Sequence, residues 1–264
     1  MLPNFLIVGP PKSGTTSLQF YLDRHPDVFV TGEAHFFNYN YEKGIGWYEK
    51  FFEEANDEKA IGEKTPAYFF DEKTPELIKK DLGNIKLLFI FRNPIKRANS
   101  QYWHDVRHAR ENAKTFEEVA EREMGNNSKS NYLEISKYVT HLKRWNKYFS
   151  KSKMFFLTME NLNKEVLKDA LVFLKVDEDF DFGELKRYNV GGSVRSNFLA
   201  KTSQNKIVKK IPYLSEFIKR GVNMRRGKTP EIKPETKEEL RKYFEPYNKE
   251  LIKFTGLDLS KWDE

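Results

Sequence analysis

The feature that most constrains this chain lies at its start. A short apolar run, Asn4 to Val8, stops at Gly9-Pro10-Pro11-Lys12-Ser13-Gly14-Thr15-Thr16, and apolar residues then recur at helical spacing as Leu18, Tyr21 and Leu22. A run of that length closed by Gly and Pro reads as a buried strand ending in a loop, and His25-Pro26 stops the helix that follows. A strand, a glycine-bounded loop and a helix start together form an anion cradle. Backbone N–H groups of the loop and of the first helical turn point outward, and the helix dipole favours negative charge there. The nucleoside-triphosphate form of this corner is G-x-x-x-x-G-K-[ST]. Here Gly9 and Gly14 keep the spacing, but Thr15 stands where that lysine belongs, and the lysine is Lys12, inside the loop.

The rest of the chain extends the pattern. Val28–Val30 reads as a second short strand, Leu87–Phe91 as the strongest strand, and Met154–Leu157 as another. The unbroken apolar character of Leu87–Phe91 predicts burial on both faces. Helices are expected around Lys96–Val106, Phe116–Glu123, Tyr132–Phe149, Lys164–Leu174 and Pro234–Phe254, the last with Pro in its first turn. Residues 186–233 are weakly periodic and read as loops and short helices. Alternating strands and helices predict an α/β fold: a P-loop-type, three-layer domain with a central, mainly parallel sheet flanked by helices. At 264 residues the expectation is a single domain, 1–264.

Charge and cysteine content narrow the function classes. The net charge is +7, but nine basic residues and one acid between Lys201 and Lys228 account for +8, so the excess is local. A nucleic-acid or polyanion module would interleave stacking aromatics with those cations, and only Tyr213 and Phe217 lie there, so no nucleic-acid partner is expected. With no cysteine there is no disulfide framework, thiolate metal site or cysteine nucleophile. The start lacks the features of a signal peptide, and no window approaches the roughly 18 apolar residues of a membrane span. A soluble, cytoplasmic protein without a transmembrane segment is therefore expected.

Pro11-Lys12-Ser13-Gly14-Thr15-Thr16-Ser17-Leu18 resembles the 5′-phosphosulfate loop of sulfotransferases that use 3′-phosphoadenylyl sulfate (PAPS), particularly the glucosaminyl 3-O type of the heparan sulfate family. The resemblance continues through His25-Pro26-Asp27-Val28, Glu33-Ala34-His35-Phe36-Phe37, Gly46-Trp47-Tyr48, Glu63-Lys64-Thr65-Pro66-Ala67-Tyr68, Phe91-Arg92-Asn93-Pro94 and Ser100-Gln101-Tyr102. These blocks stand in order over about a hundred residues; beyond Tyr102 the likeness is looser.

The resemblance implies a division of labour. Lys12 would neutralise charge on the leaving phosphate, and Ser13, Gly14, Thr15, Thr16 and Ser17 would hold the 5′-phosphate. Lys64 matches a second lysine near the sulfuryl group, and Glu33 matches the general base for in-line transfer, as a partly desolvated carboxylate. His35, two residues on, would share a face with Glu33 in an extended segment, where it could orient the base or touch the acceptor. Arg92 and Ser100 match the pair that binds the 3′-phosphate, the group that distinguishes PAPS from ordinary adenylates; an arginine fork suits that dianion. Arg226, Gly227 and Lys228 resemble a basic loop that covers the nucleotide. Tyr132 and Trp145 match an aromatic helix and are read as core.

One position departs from the family. After the two phenylalanines an acidic residue is expected, and the chain has Asn38. The reaction implied is sulfuryl transfer from PAPS to an acceptor hydroxyl of a carbohydrate or glycoside, with an anionic glycan among the candidates, leaving 3′,5′-adenosine diphosphate (PAP). A non-carbohydrate small molecule or lipid is the alternative acceptor. A P-loop kinase or nucleotide hydrolase is the rival activity, but it predicts lysine after Gly14 and a strand ending in aspartate, where this chain has Thr15 and Arg92. No metal is expected: His104 and His108 form an i,i+4 pair without a carboxylate-rich setting. Oligomeric state has no signature in the sequence.

Overall fold

A computed structural model of the chain describes residues 1–125, 130–185 and 229–263, and the backbone alone of 192–194 and 224–226. The chain divides into two compact units: Met1–Asn93, Lys137–Tyr188 and Pro246–Glu264 form the first, and Pro94–Ser136 with Asn189–Glu245 form the second.

The first unit is built on five parallel strands, β1 (Phe5–Ile7), β2 (Val28–Thr31), β3 (Ala60–Lys64), β4 (Lys86–Phe91) and β5 (Met154–Thr158), in the order β2-β3-β1-β4-β5. Alternation along β1 and β4 sends side chains to two separate cores. Leu6, Leu87, Phe89 and Phe91 join one, and Phe5, Ile7, Leu88 and Ile90 the other. All five residues from Leu87 to Phe91 are fully buried, so the double-faced burial expected of that run holds. On one face, helices α1 (Thr15–Leu22) and α9 (Lys164–Leu174) contribute Leu18, Tyr21, Leu22, Leu167 and Leu171. The other face is covered by Phe36 and Phe37 of α2 (Phe36–Tyr39), Tyr48 of α3 (Ile45–Glu49), Ile78 of α4 (Thr74–Leu82), and Tyr138, Leu142 and Trp145 of α8 (Tyr138–Trp145). This is the expected α/β arrangement of helices on both faces of a parallel sheet.

Strand β3 is the element the sequence showed least clearly, because Gly62, Glu63 and Lys64 interrupt its apolar pattern. Gly62 is there because the Phe5 ring of β1 lies across it: a Cβ would sit 2.4 Å from Phe5 Cζ. Register fixes what meets at the carboxyl ends of the strands. Ile7 pairs with Lys64 on one side and Leu88 on the other, and Thr31 pairs with Glu63. The segments after β1, β2, β3 and β4 therefore leave the same edge, with the strand order reversing at β1, the usual position of a ligand crevice in such sheets.

The second unit contains α5 (Pro94–Arg107), α6 (Phe116–Met124), α7 (Tyr132–Ile135), the antiparallel pair β6 (Gly192–Val194) and β7 (Met224–Arg226), and the first part of the long helix α10 (Pro234–Thr255). Thr115 caps α6 by accepting from the Glu118 amide at 3.2 Å. The helix expected over Tyr132–Phe149 is two helices. Ser136 Oγ donates to the Tyr132 and Pro94 carbonyls and accepts from Arg97 Nε at 2.7 Å, so the side chain competes for the backbone and α7 ends there. Among the described residues no helix is long and apolar enough to cross a membrane.

Candidate active site

The loop between β1 and α1 is shaped for an anion. Gly14 caps α1 with φ +99°, left-handed backbone that favours glycine, and a Cβ there would lie 2.3 Å from Met159 Sδ. A Cβ on Gly9 would lie 2.7 Å from the Ile90 carbonyl oxygen. Lys12 also has positive φ, 71°. Helix α1 has no side-chain cap at its N-terminus, which leaves its first amides open to a ligand. Ser13 is fully buried, and its Oγ has no hydrogen-bond partner among the described residues. A buried hydroxyl in that condition suits a missing acceptor or donor. Thr15 and Ser17 are buried in the first turn, with Thr16 between them partly exposed.

Glu33, His35 and Lys64 come together at the same strand-end edge. Lys64 Nζ is 2.7 Å from Glu33 Oε1, and His35 Nε2 is 3.2 Å from Glu33 Oε2. The lysine side chain is only 8% exposed, whereas the glutamate is 41% exposed, so a buried ammonium faces a carboxylate open to solvent. The contact expected of His35 exists, but not through an extended segment. His35 has φ 52°, and this left-handed turn before α2 swings its ring back to Glu33. Its Nδ1 is buried without a hydrogen-bond partner among the described residues, as is Asn38 Oδ1.

Beneath this cluster lies a residue that received no role from the sequence. Glu63 is fully buried and accepts from Tyr48 Oη at 2.6 Å, Tyr68 Oη at 3.1 Å, the Ala34 amide at 3.1 Å, and Thr65 Oγ1. Tyr68 Oη in turn accepts from the Phe37 amide at 3.3 Å. Burial pushes the Glu63 carboxyl up, and the hydrogen bonds from Thr65, Tyr48, Tyr68 and Ala34 pull it back. The turn that carries His35 is thus pinned on both sides, at Ala34 and Phe37, to one carboxylate at the end of β3. A signal was present: a glutamate inside a short buried strand needs donors, and the motif supplies Thr65 and Tyr68.

Arg92 follows β4, and its Nη1 donates to the Lys12 carbonyl at 3.2 Å, so the expected phosphate-binding arginine touches the loop itself. Ser100 lies on α5 in the second unit. Arg226 ends β7, where its backbone pairs with Gly192, and Gly227 and Lys228 lie outside the described residues, as does most of the basic stretch from Lys201. Tyr132 and Trp145 are buried, as expected of core residues. The His104 and His108 ring centroids lie 4.3 Å apart with the planes tilted by 36°, and His108 Nδ1 is 2.7 Å from the His104 carbonyl. Among the described residues no group of three or more His, Asp or Glu could hold a metal ion.

Residues 2–256 match the sulfotransferase domain family. Human heparan sulfate glucosamine 3-O-sulfotransferase 3B1 is 30% identical over 279 residues, covering 99% of this chain; the chain spans 65% of that relative's length. Among solved structures, a sulfotransferase from Alicyclobacillus acidocaldarius matches with a TM-score of 0.72 at 24% identity, covering 100% of both chains. A mouse sulfotransferase complexed with PAP matches with a TM-score of 0.56 at 18% identity, covering 93% of this chain and 83% of that one. These two likenesses show the fold.

Proposed function

We propose that this chain, which belongs to the sulfotransferase domain family, moves a sulfuryl group from PAPS to a hydroxyl of an anionic glycan, with Glu33 as general base. The observation that carries the reading is the cluster of Glu33, Lys64 and His35 on the strand-end edge from which the glycine loop also leaves. The donor is favoured by the loop: Ser13 Oγ without a partner among the described residues, open first-turn amides and close packing at both glycines suit an anion held against α1. PAPS brings the activated sulfuryl group, and PAP remains after transfer. The acceptor class is favoured by the relatives, whose names specify heparan sulfate glucosamine. We also read 1–264 as one sulfotransferase domain, a reading favoured by a family match that runs through segments of both units.

The geometry supports the following roles. Glu33 takes the acceptor's hydroxyl proton, which requires a carboxylate that is open to the acceptor and ionised before the step. Lys64 Nζ donates to Glu33 Oε1 at 2.7 Å, and when Glu33 takes the proton the buried ammonium loses its counter-charge. Lys64 then favours an anion on the donor side, so proton uptake and charge release are coupled through one lysine. His35 holds the second carboxylate oxygen and fixes the direction of the first. Lys12 and Arg92 bring cations to the loop, and Ser100, Arg226, Gly227 and Lys228 keep the nucleotide-binding roles that the resemblance implies.

The test has two arms. PAP should bind at least tenfold more tightly than 5′-AMP, and Arg92→Ala should erase the difference; equal binding by the wild-type chain overturns the donor assignment. With labelled PAPS and heparan oligosaccharides read by mass spectrometry, the wild-type chain should transfer label to a sugar hydroxyl. Glu33→Gln should abolish transfer and keep PAP binding, whereas loss of both refutes the base assignment. Transfer to a small phenol or lipid alone would overturn the glycan assignment.

A further inference from the structure

The turn at Trp262 is tied to Asn93, the residue that follows Arg92. Trp262 is only 5% exposed. Its indole Nε1 donates to Glu160 Oε2 at 3.0 Å, and the other oxygen of that carboxylate accepts from the backbone N–H of Asn93 at 3.1 Å. Asn93 closes the ring by donating its Nδ2 to the Trp262 carbonyl at 2.5 Å. Asn93 is itself buried, and the residue before it is Arg92. The Arg92 carbonyl accepts from Tyr138 Oη at 2.8 Å, and the Tyr138 ring lies 6.0 Å from that of Trp262. Three segments distant in sequence, around 93, 160 and 262, therefore fix the backbone that aims Arg92.

The turn that presents Trp262 is also held. Asp258 Oδ1 accepts from the Ser260 amide at 2.9 Å and its Oδ2 from Ser260 Oγ at 3.1 Å, while the Asp258 carbonyl accepts from Asn161 Nδ2 at 3.2 Å. Leu259 is buried against the core. The indole N–H and the carbonyl of Trp262 are thus both engaged, the first with the carboxylate that binds the Asn93 amide and the second with Asn93 itself.

We propose that Trp262 is a positioning residue for Arg92, and that the turn from Asp258 to Trp262 is a latch on which recognition of the nucleotide's 3′-phosphate depends. With the latch closed, the peptide at 92–93 is held from both sides, and the guanidinium keeps its place against the Lys12 carbonyl. With the indole bond removed, Glu160 loses one of its two donors and the peptide gains freedom. A fork that must meet a phosphate with two parallel bonds loses most of its benefit from such freedom. The loop amides, which hold the 5′-phosphate, are not part of this ring.

The inference rests on the proposed donor, and the experiment separates the two. Titration calorimetry on the full chain measures Kd for PAP and for 5′-AMP in the wild type, in Trp262→Phe, which keeps an aromatic ring but loses the five-membered ring with its N–H, and in Asp258→Ala, an exposed change that loosens the turn without touching the core. Trp262→Phe should weaken PAP about tenfold and 5′-AMP less than twofold, so the ratio narrows about tenfold. Asp258→Ala should narrow it in the same direction by a smaller factor, and it answers the question if Trp262→Phe does not fold. An unchanged ratio, or equal weakening of both nucleotides, overturns the latch. A wild-type chain that does not prefer PAP overturns the donor assignment instead.

Discussion

Replacing Tyr48 by Phe removes one oxygen from the interior and leaves the packing in place. Tyr48 is fully buried, with its ring stacked 4.7 Å from that of Phe36, so the ring's contribution to the core survives. The lost hydroxyl donates at 2.6 Å to a carboxylate without solvent access. Burial and the charge of Glu63 keep that phenol protonated over the whole working range, so it is always a donor. A hydrogen bond to a charged group contributes ~1.5–3 kcal/mol. Tyr68, Thr65 and the Ala34 amide still reach Glu63, which places the expected loss near the lower end, at about 1.5 kcal/mol. For a chain of this size that is a fall in Tm of roughly 3–6 °C.

The loss depends on pH, and its sign is fixed. In the folded chain Glu63 holds its proton above the ordinary value of 4.5. Glu63 thus contributes most to stability below 4.5, and that contribution is lost as pH rises through the folded value. The Tyr48 bond pulls the folded value down, so its removal raises it further and deepens the loss at higher pH. The deficit of Tyr48→Phe should be small below pH 4.5, grow with rising pH, and then level off. Denaturant unfolding of both proteins from pH 4 to pH 8 measures it, and the difference between them cancels carboxylates that the mutation does not touch. Tyr148→Phe is the control, because its hydroxyl meets Glu76 at the surface, and no change is expected. A deficit that is flat with pH, or no deficit, would refute the reasoning.

Two further substitutions test the loop and the cluster. Gly14→Ala should cost at least ~1–2 kcal/mol, from left-handed backbone alone, and should weaken PAP binding; adding Met159→Ala should relieve the steric part and leave the backbone part, as read by denaturation and nucleotide titration. Lys64→Met should lower kcat by about a hundredfold or more while PAP affinity changes far less, since the lost charge acts on the step rather than on the nucleotide; an equal fall in both would make Lys64 a binding residue.

How much of this was legible depended on whether a residue's partners lie near it in sequence. Strand β4 was readable because its burial is written as five apolar residues in succession. The loop from Gly9 to Gly14 was readable because spacing, glycines and helix start fall within one window. Strand β3 was not, because a ring from β1 takes the place of a side chain at Gly62, and because a strand that ends in Glu63-Lys64 looks like surface until its partners are known. The single helix read over Tyr132–Phe149 failed at Ser136, whose hydroxyl is engaged by Arg97 from α5.

The same distinction runs through the site. Glu33, Lys64 and Arg92 could be named from short blocks, since each motif carries the group that would face a ligand. The groups that hold them in place are spread along the chain. Glu63 gathers residues 34, 48, 65 and 68, and Glu160 gathers 93 and 262. Strand register alone brings Thr31 beside Glu63 and so lets the turn after β2 hang from the end of β3. His35 shows the consequence: sequence spacing gave the right partner for a conformation it does not adopt, because the left-handed turn that delivers its ring is secured by two tyrosines and a buried carboxylate. Such supporting residues can be deduced from a fold and not from a motif, so they are where substitutions should alter the chemistry without touching any group that performs it.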